Sequence, residues 1–266
     1  MLDRARPRQA RFYLRQLSEL ARPAAVLRCS RNLISIGPCI NERIKRNEDT
    51  SMFVGHYAAA LAAKAVEPRA PLWSYVVASQ LVDWGWSGLV IAGVERLRLD
   101  PSLPGSHLVL LDMPWTHSLP GALVWPLAAA VVARIGLRVP AVAATMVGVV
   151  VFSHWLGDLL VHRADLLLYP GGPKVGLALW NYPLPEMILE LGLLGVSAIL
   201  WTAQRKAEGR HTWPAALFFA ALAMLQFVSV ALPTEGTPER LAGTALLSYV
   251  VVALGAWLMD RKPVQT

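Results

Sequence analysis

Charged residues are scarce in this chain of 266 residues. Asp, Glu, Lys and Arg together make up 16% of it, whereas soluble domains carry about 25%. Hydrophobic residues make up 55% and are gathered in long runs. The sequence also lacks the segments of about ten alternating apolar and polar residues that form outer-membrane barrels. These two absences exclude an ordinary soluble domain and a β-barrel, and they favour a helical membrane protein.

Cysteine is equally scarce, and its position limits the possible chemistry. The two cysteines, Cys29 and Cys39, both lie within residues 1–51. One such pair does not define a disulfide or a metal site. Since residues 52–266 contain no cysteine, a metal site there must be built from histidine and carboxylate ligands.

Positive charge is concentrated in the first 51 residues. They hold 11 Lys and Arg residues against 5 Asp and Glu, whereas residues 52–266 hold 14 against 13. The sequence therefore divides into a basic N-terminal arm, 1–51, and a body, 52–266. The arm is either disordered or upstream of a translation start at Met52. Its charge suits contact with anionic lipid headgroups and gives no reason to expect a nucleic-acid partner.

The body contains six apolar runs that approach or exceed the length needed to cross a bilayer. A membrane core of about 30 Å takes about 20 helical residues, and backbone groups in lipid must be paired within a helix. A seventh run, 53–65, is short and fits either a re-entrant or a tilted helix. We therefore predict an all-α, polytopic membrane helix bundle with six spans and a short N-terminal apolar helix. The six predicted spans are residues 72–94, 119–135, 139–161, 184–203, 213–232 and 241–259.

The connections between the spans fall into two groups. Side A comprises 64–71, 134–139, 204–212 and the residues after 259, with nine Lys and Arg residues. Side B comprises 95–118, 162–183 and 233–240, with five. The positive-inside rule then places side A in the cytoplasm. A translated basic arm, which would lie nearest side B, argues for the reverse orientation.

The most informative motif is a polar stripe at the end of one span. His154, Asp158 and His162 follow one another at intervals of four residues, so they lie on one face of a helix. Imidazole and carboxylate groups are suitable ligands for zinc and similar ions. The stripe is about 12 Å long at 1.5 Å per residue. We expect two of its members to bind the metal and the third to support them or transfer protons. The alternative is a polar face that lines a water-filled crevice.

Four further ionisable residues are expected near this stripe. Asp83 lies inside a predicted span and must face the bundle interior, where it needs a partner. His56 opens the short first segment, and Asp112 and His117 precede the run 119–135, which places all three at side B. Each also has a simpler explanation, such as a structural anchor, an interfacial side chain or an ordinary loop position.

Four segments carry a further signal: Met52-Phe53-Val54-Gly55-His56, Asp83, Thr116-His117-Ser118-Leu119, and Ser153-His154-Trp155-Leu156-Gly157-Asp158 with His162. Together they resemble the LexA-regulated, inner-membrane, metal-dependent hydrolase-like proteins of bacteria. The resemblance is best over residues 52–183 and implies a multi-pass protein of the bacterial inner membrane. It also implies that His56, Asp83, His117, His154 and Asp158 are metal ligands.

These observations predict a membrane-bound metal-dependent hydrolase of a small-molecule or lipid substrate, such as a phosphoester or a lipid headgroup. Zinc is the expected cofactor, and Asp112 and His162 are the predicted catalytic residues. The main alternative is a transporter or permease in which the His and Asp residues relay protons or ions. A membrane scaffold whose polar site only holds structure is a third reading.

Overall fold

The computed structural model describes residues 54–231 and 236–260 of the chain. The basic arm predicted for residues 1–51 lies outside these residues. The described part is mostly helical, as the sequence predicted. Its helices are α1 (His56–Val66), α2 (Leu72–Ser79), α3 (Leu81–Ile91), α4 (Leu119–Ile135), α5 (Ala141–Val161), α6 (Pro183–Ala207), α7 (Trp213–Ala231) and α8 (Pro238–Met259).

Helices α5 to α8 are long and apolar enough to cross a membrane, with 19 to 25 residues each. Their outer faces carry apolar side chains that remain exposed, such as Val196 and Ile199 on α6 and Leu247 and Val251 on α8. In water such faces would be costly, whereas against lipid tails they are favourable. The described chain is therefore built as a membrane protein.

The other two predicted spans correspond to shorter helices. Helix α4 has 17 residues. The run 72–94 is divided into α2 and α3 by Gln80, whose φ of −116° and ψ of 10° interrupt the helical path. Composition did not signal this break, because no proline or glycine stands at it. It lies three residues before Asp83 and faces the polar site described below.

The short helix α1 lies in the centre of the bundle, in contact with α2, α5 and α6. Ala58, Ala60 and Ala63 are buried along it, and their small side chains let the neighbouring helices approach closely. Around them, Tyr57, Leu61 and other apolar side chains form the main core. This arrangement holds His56, the first residue of α1, in the bundle interior.

The all-α prediction missed two small antiparallel β-hairpins between the helices. Strands β1 (Arg96–Leu99) and β2 (Leu108–Asp112) form the first, and β3 (Leu166–Leu167) and β4 (Lys174–Val175) form the second. They pack with residues from α3 and α8 into a second apolar cluster. This cluster covers the end of the bundle where α5 terminates.

At the opposite end of the bundle, charged residues around Asp260 connect the ends of several helices. We call these residues the Asp260 cluster. The Asp260 carboxylate lies 2.8 Å from Nζ of Lys64 and accepts a hydrogen bond from the backbone N–H of Leu72 at 3.0 Å. Arg210 donates to the other carboxylate oxygen at 3.3 Å. The ends of α1, α2, α6 and α8 therefore meet here, which agrees with their assignment to side A.

Candidate metal centre

The polar stripe predicted from the sequence lies on the last two turns of α5 and at its end. His154 and Asp158 are buried within the helix, and His162 is the buried C-terminal cap residue. The backbone leaves the helical conformation at His162, with φ −61° and ψ 148°. The following loop returns to the helix end, where the N–H groups of Leu177 and Ala178 donate to the carbonyls of Leu159 and His162 at 2.8 and 2.7 Å. This closure fixes the backbone at His162.

Side chains from three other segments, which carry His56, Asp83 and His117, converge on this stripe. His154 Nε2 lies 3.1 Å from Oδ1 of Asp83 and 3.3 Å from Oδ2 of Asp158. His117 Nε2 lies 3.5 and 3.6 Å from the same two oxygen atoms. Each of the two nitrogen atoms therefore lies close to both oxygen atoms. A tetrahedral zinc ion with ligands at 2.0–2.2 Å has ligand–ligand edges of about 3.3 Å, so the spacing fits such an ion.

His56 and His162 approach the other oxygen of Asp158. Oδ1 of Asp158 lies 3.3 Å from Nε2 of His56 and 4.0 Å from Nε2 of His162. The ring of His56 stacks on that of His154, with centroids 3.8 Å apart and planes inclined by 17°. The two oxygens of one carboxylate thus face two different pairs of imidazoles.

The tautomer of His154 follows from its partner on the far side of the ring. Its Nδ1 lies 2.8 Å from the backbone carbonyl oxygen of Ser79, at the break between α2 and α3. A carbonyl can only accept, so Nδ1 carries the proton and Nε2 of the neutral ring carries a lone pair. That lone pair points at the carboxylates of Asp83 and Asp158, which are acceptors as well.

His117 is held in the same tautomer by a buried chain of hydrogen bonds. The hydroxyl of Thr116 donates to Oε2 of Glu95 at 2.6 Å, so its oxygen accepts from Nδ1 of His117 at 2.9 Å. The other Glu95 oxygen accepts from the N–H groups of Trp115 and Thr116. Glu95 therefore fixes both the loop and the ring, and Nε2 of His117 again presents a lone pair to carboxylate oxygens.

His162 repeats this arrangement with a carboxylate behind it. Its Nδ1 lies 3.0 Å from Oδ1 of Asp165, whose second oxygen accepts from the N–H of Leu110 at 2.9 Å. The ring also packs on Trp180, with centroids 4.0 Å apart. Outer partners of this kind orient histidine ligands in metal sites. Similarly, the hydroxyl of Tyr249 donates to Oδ2 of Asp83 at 3.0 Å.

The result is a set of hydrogen-bond acceptors that face one another without donors between them. Within the described part of the chain, neither Nε2 of His154 nor Oδ2 of Asp158 forms a hydrogen bond, although both atoms are buried. Burying unpaired acceptors costs free energy unless something positive binds them. The two groups of side chains able to hold a cation, with ligand atoms within 4.8 Å of one another, are His56, His154 and Asp158, and Asp83, His117 and His154.

The site opens into a cavity of about 100 Å³ whose remaining wall is mostly apolar. The polar floor includes Asp83, His117 and Asp158. The apolar wall is formed by α3, the first hairpin, α8 and the 3₁₀ turn at Leu179–Asn181. Its side chains are Trp86, Leu97, Leu108, Leu110, Met113, Trp180, Leu241 and Ala245.

The structure brings together six of the seven residues predicted from the sequence. Asp112 stands apart from them at the end of β2. Its carboxylate is half exposed and lies 3.5 Å from the guanidinium of Arg96. Its catalytic role stays a prediction, but the geometry gives it no contact with the cavity floor among the described residues.

Sequence reasoning missed the outer partners of the site, which are Ser79, Glu95, Thr116, Asp165 and Tyr249. Asp165 was detectable, because it follows His162 at a spacing of three residues. Ser79 contributes only its backbone carbonyl, and Tyr249 comes from a helix 166 residues away from Asp83. Neither has a local sequence signal.

No protein-family model, no curated protein and no solved structure matches this chain. The resemblance to the bacterial hydrolase-like family therefore stays an expectation.

Proposed function

We propose that this chain is a membrane-embedded, metal-dependent hydrolase that acts on a lipid phosphoester. We also propose that it is a six-span protein of the bacterial inner membrane, as its family resemblance implies. Helix α4, at about 1.5 Å per residue, is about 25 Å long, and α2 and α3 together are of similar reach. If the bilayer thins locally, α4 and the α2–α3 pair would each cross it, which together with the four long helices makes six spans.

The observation that carries the proposal is the shared tautomer of the inner imidazoles. His154 and His117 each donate from Nδ1 to a fixed acceptor, so both turn a lone pair towards Asp83 and Asp158. With both rings neutral, these four acceptors at 3.1 to 3.6 Å repel one another, and either a metal cation or a second proton on an imidazole relieves that repulsion. Zinc accepts this mixture of nitrogen and oxygen ligands.

A divalent ion held by these residues would polarise a phosphoryl oxygen and lower the pKa of bound water to near neutrality. The protein's own groups supply the rest. Asp83 and Asp158 provide the negative charge that retains the ion. The Glu95–Thr116 pair and the Ser79 carbonyl hold the rings. His162, backed by Asp165, lies at the cavity wall, where the predicted proton transfer would take place.

The cavity wall supports a lipid as the substrate. A polar floor next to a wall of leucine, tryptophan and methionine side chains suits a molecule with a phosphoester beside an apolar chain. A soluble sugar phosphate would leave this apolar wall uncovered. The membrane position of the bundle would let such a lipid reach the site from the bilayer.

The proposal is tested by hydrolysis of phospholipids in mixed micelles by the purified full-length protein. The zinc-loaded parent is expected to release headgroup or phosphate, while His154→Ala is expected to be inactive. His211→Ala is the matched control, since it removes an exposed imidazole outside the site. Metal-dependent activity that is unchanged in His154→Ala would contradict the proposal.

A transporter is the second candidate, because helix α2–α3 is interrupted beside the site. Discontinuous membrane helices are typical of the substrate and ion sites of transporters. Proton-driven or ion-driven uptake into vesicles containing the purified protein, lost in Asp83→Asn, would favour this candidate. Hydrolysis without any uptake would exclude it.

A further inference from the structure

We infer that the site holds two divalent cations, bridged by the carboxylate of Asp158. The inference rests on the proposed metal centre and adds a second metal position to it. The first position is formed by Asp83, His117, His154 and Oδ2 of Asp158. The second is formed by His56, His162 and Oδ1 of Asp158, so in this inference His162 binds a metal ion and replaces the proton-transfer role proposed for it above.

The two oxygens of Asp158 separate the imidazoles into two pairs. Oδ2 lies 3.3 and 3.6 Å from the Nε2 atoms of His154 and His117. Oδ1 lies 3.3 and 4.0 Å from those of His56 and His162. A carboxylate placed between two sets of nitrogen ligands in this way is a natural bridge between two ions.

One ion does not account for all of these ligands. Both potential cation-binding groups include His154, yet the Nε2 atom of an imidazole has one lone pair and serves one ion. Its contacts with Asp83 and with Oδ2 of Asp158 assign it to the first position. His56 and Oδ1 of Asp158 then remain as a second pair of ligands, and His162 lies next to them.

The stacked rings give a spacing that agrees with a two-metal centre. His56 and His154 lie nearly parallel with centroids 3.8 Å apart. If each ring binds its own ion, the ions are separated by a similar distance. Two-metal hydrolytic sites have separations of about 3.5–4 Å.

Charge gives a second, independent argument. Among the described residues that line the cavity, none is Lys or Arg, while Asp83 and Asp158 contribute two negative charges. One divalent ion only neutralises these carboxylates, so the floor would not attract an anionic phosphoester. A second divalent ion makes the floor positive and provides two points that can bind the phosphoryl oxygens.

The inference is tested by loading the metal-stripped, full-length protein with Mn²⁺ in detergent. Bound manganese is counted after gel filtration, and electron paramagnetic resonance reports whether the ions are coupled. The parent and His211→Ala are expected to bind about two equivalents and to show an exchange-coupled pair. His56→Ala and His162→Ala are expected to bind about one equivalent with the spectrum of an isolated ion.

Each other outcome has a distinct meaning. One equivalent with an isolated-ion spectrum in the parent overturns the second position and leaves the proposed metal centre intact. No bound metal overturns both. Two coupled ions in His56→Ala and His162→Ala overturn the ligand assignment. If an alanine variant aggregates, His56→Phe and His162→Phe fill the same space without a ligand atom and must give the same loss.

Discussion

The backbone carbonyl oxygen of Ser79 lies 2.8 Å from Nδ1 of His154, although the two residues are 75 positions apart in the chain. The contact exists because α2 ends at Ser79, where helix carbonyls lack their usual partners four residues later. An irregular membrane helix thereby sets the proton position on a buried imidazole. The helix break at Gln80 therefore leaves the Ser79 carbonyl free to accept from Nδ1 of His154, and this hydrogen bond leaves the lone pair on Nε2.

Thr116→Val is expected to weaken metal binding by about 10–100-fold, the usual effect of losing an outer partner of a histidine ligand. The substitution keeps the side-chain shape and removes the hydroxyl between Glu95 and His117. Calorimetric titration of the stripped protein with zinc measures the change. Thr202→Val is the control, since its hydroxyl only contacts the Ala198 carbonyl on α6. Equal zinc affinity in both variants would contradict the assigned role of Thr116.

Removal of the metal is expected to lower the thermal stability of the parent. An ion that binds only the folded state at 100 times its dissociation constant stabilises that state by about 2.7 kcal/mol. Thermal unfolding with and without a strong chelator measures this difference in detergent. The same chelator is expected to leave the melting temperature of His154→Ala unchanged. A chelator effect of equal size in both proteins would place the metal elsewhere.

Asp260→Asn is expected to destabilise the fold while leaving the metal content unchanged. It removes the negative partner of Lys64, whose side chain is only 4% exposed. Breaking a buried ion pair in this way costs about 3–5 kcal/mol. Glu208→Gln at the same end removes a half-exposed partner of Arg210 and is expected to cost about 1 kcal/mol or less. Similar melting temperatures for the two variants would show that the ion pairs of Asp260 do not stabilise the fold more than an exposed ion pair does.

The mostly helical fold and the convergence of six candidate residues were predictable from the sequence for physical reasons. A spacing of four residues on a helix places His154, Asp158 and His162 on one face whatever the tertiary structure. An aspartate inside an apolar run has to turn inward, which located Asp83. The alternation of the predicted spans across the membrane then placed His56 and His117 at the same end.

The features that were not predicted depend on tertiary contacts or on weak local signals. The break at Gln80 has no glycine or proline, and the two hairpins are short segments between stronger helical signals. Asp112 was selected because it is a carboxylate close to His117 in sequence. In the structure it is the last residue of β2, and its carboxylate lies 3.5 Å from the guanidinium of Arg96 instead.

The most direct test of the account is elemental analysis of the purified protein and of a His154→Ala/Asp158→Ala variant, both shown to be monodisperse. We expect near-stoichiometric or higher zinc or manganese in the parent and none in the folded variant, because the variant lacks ligands of both metal positions. No metal in the parent after incubation with excess ion, or equal metal in parent and variant, would contradict the metal centre.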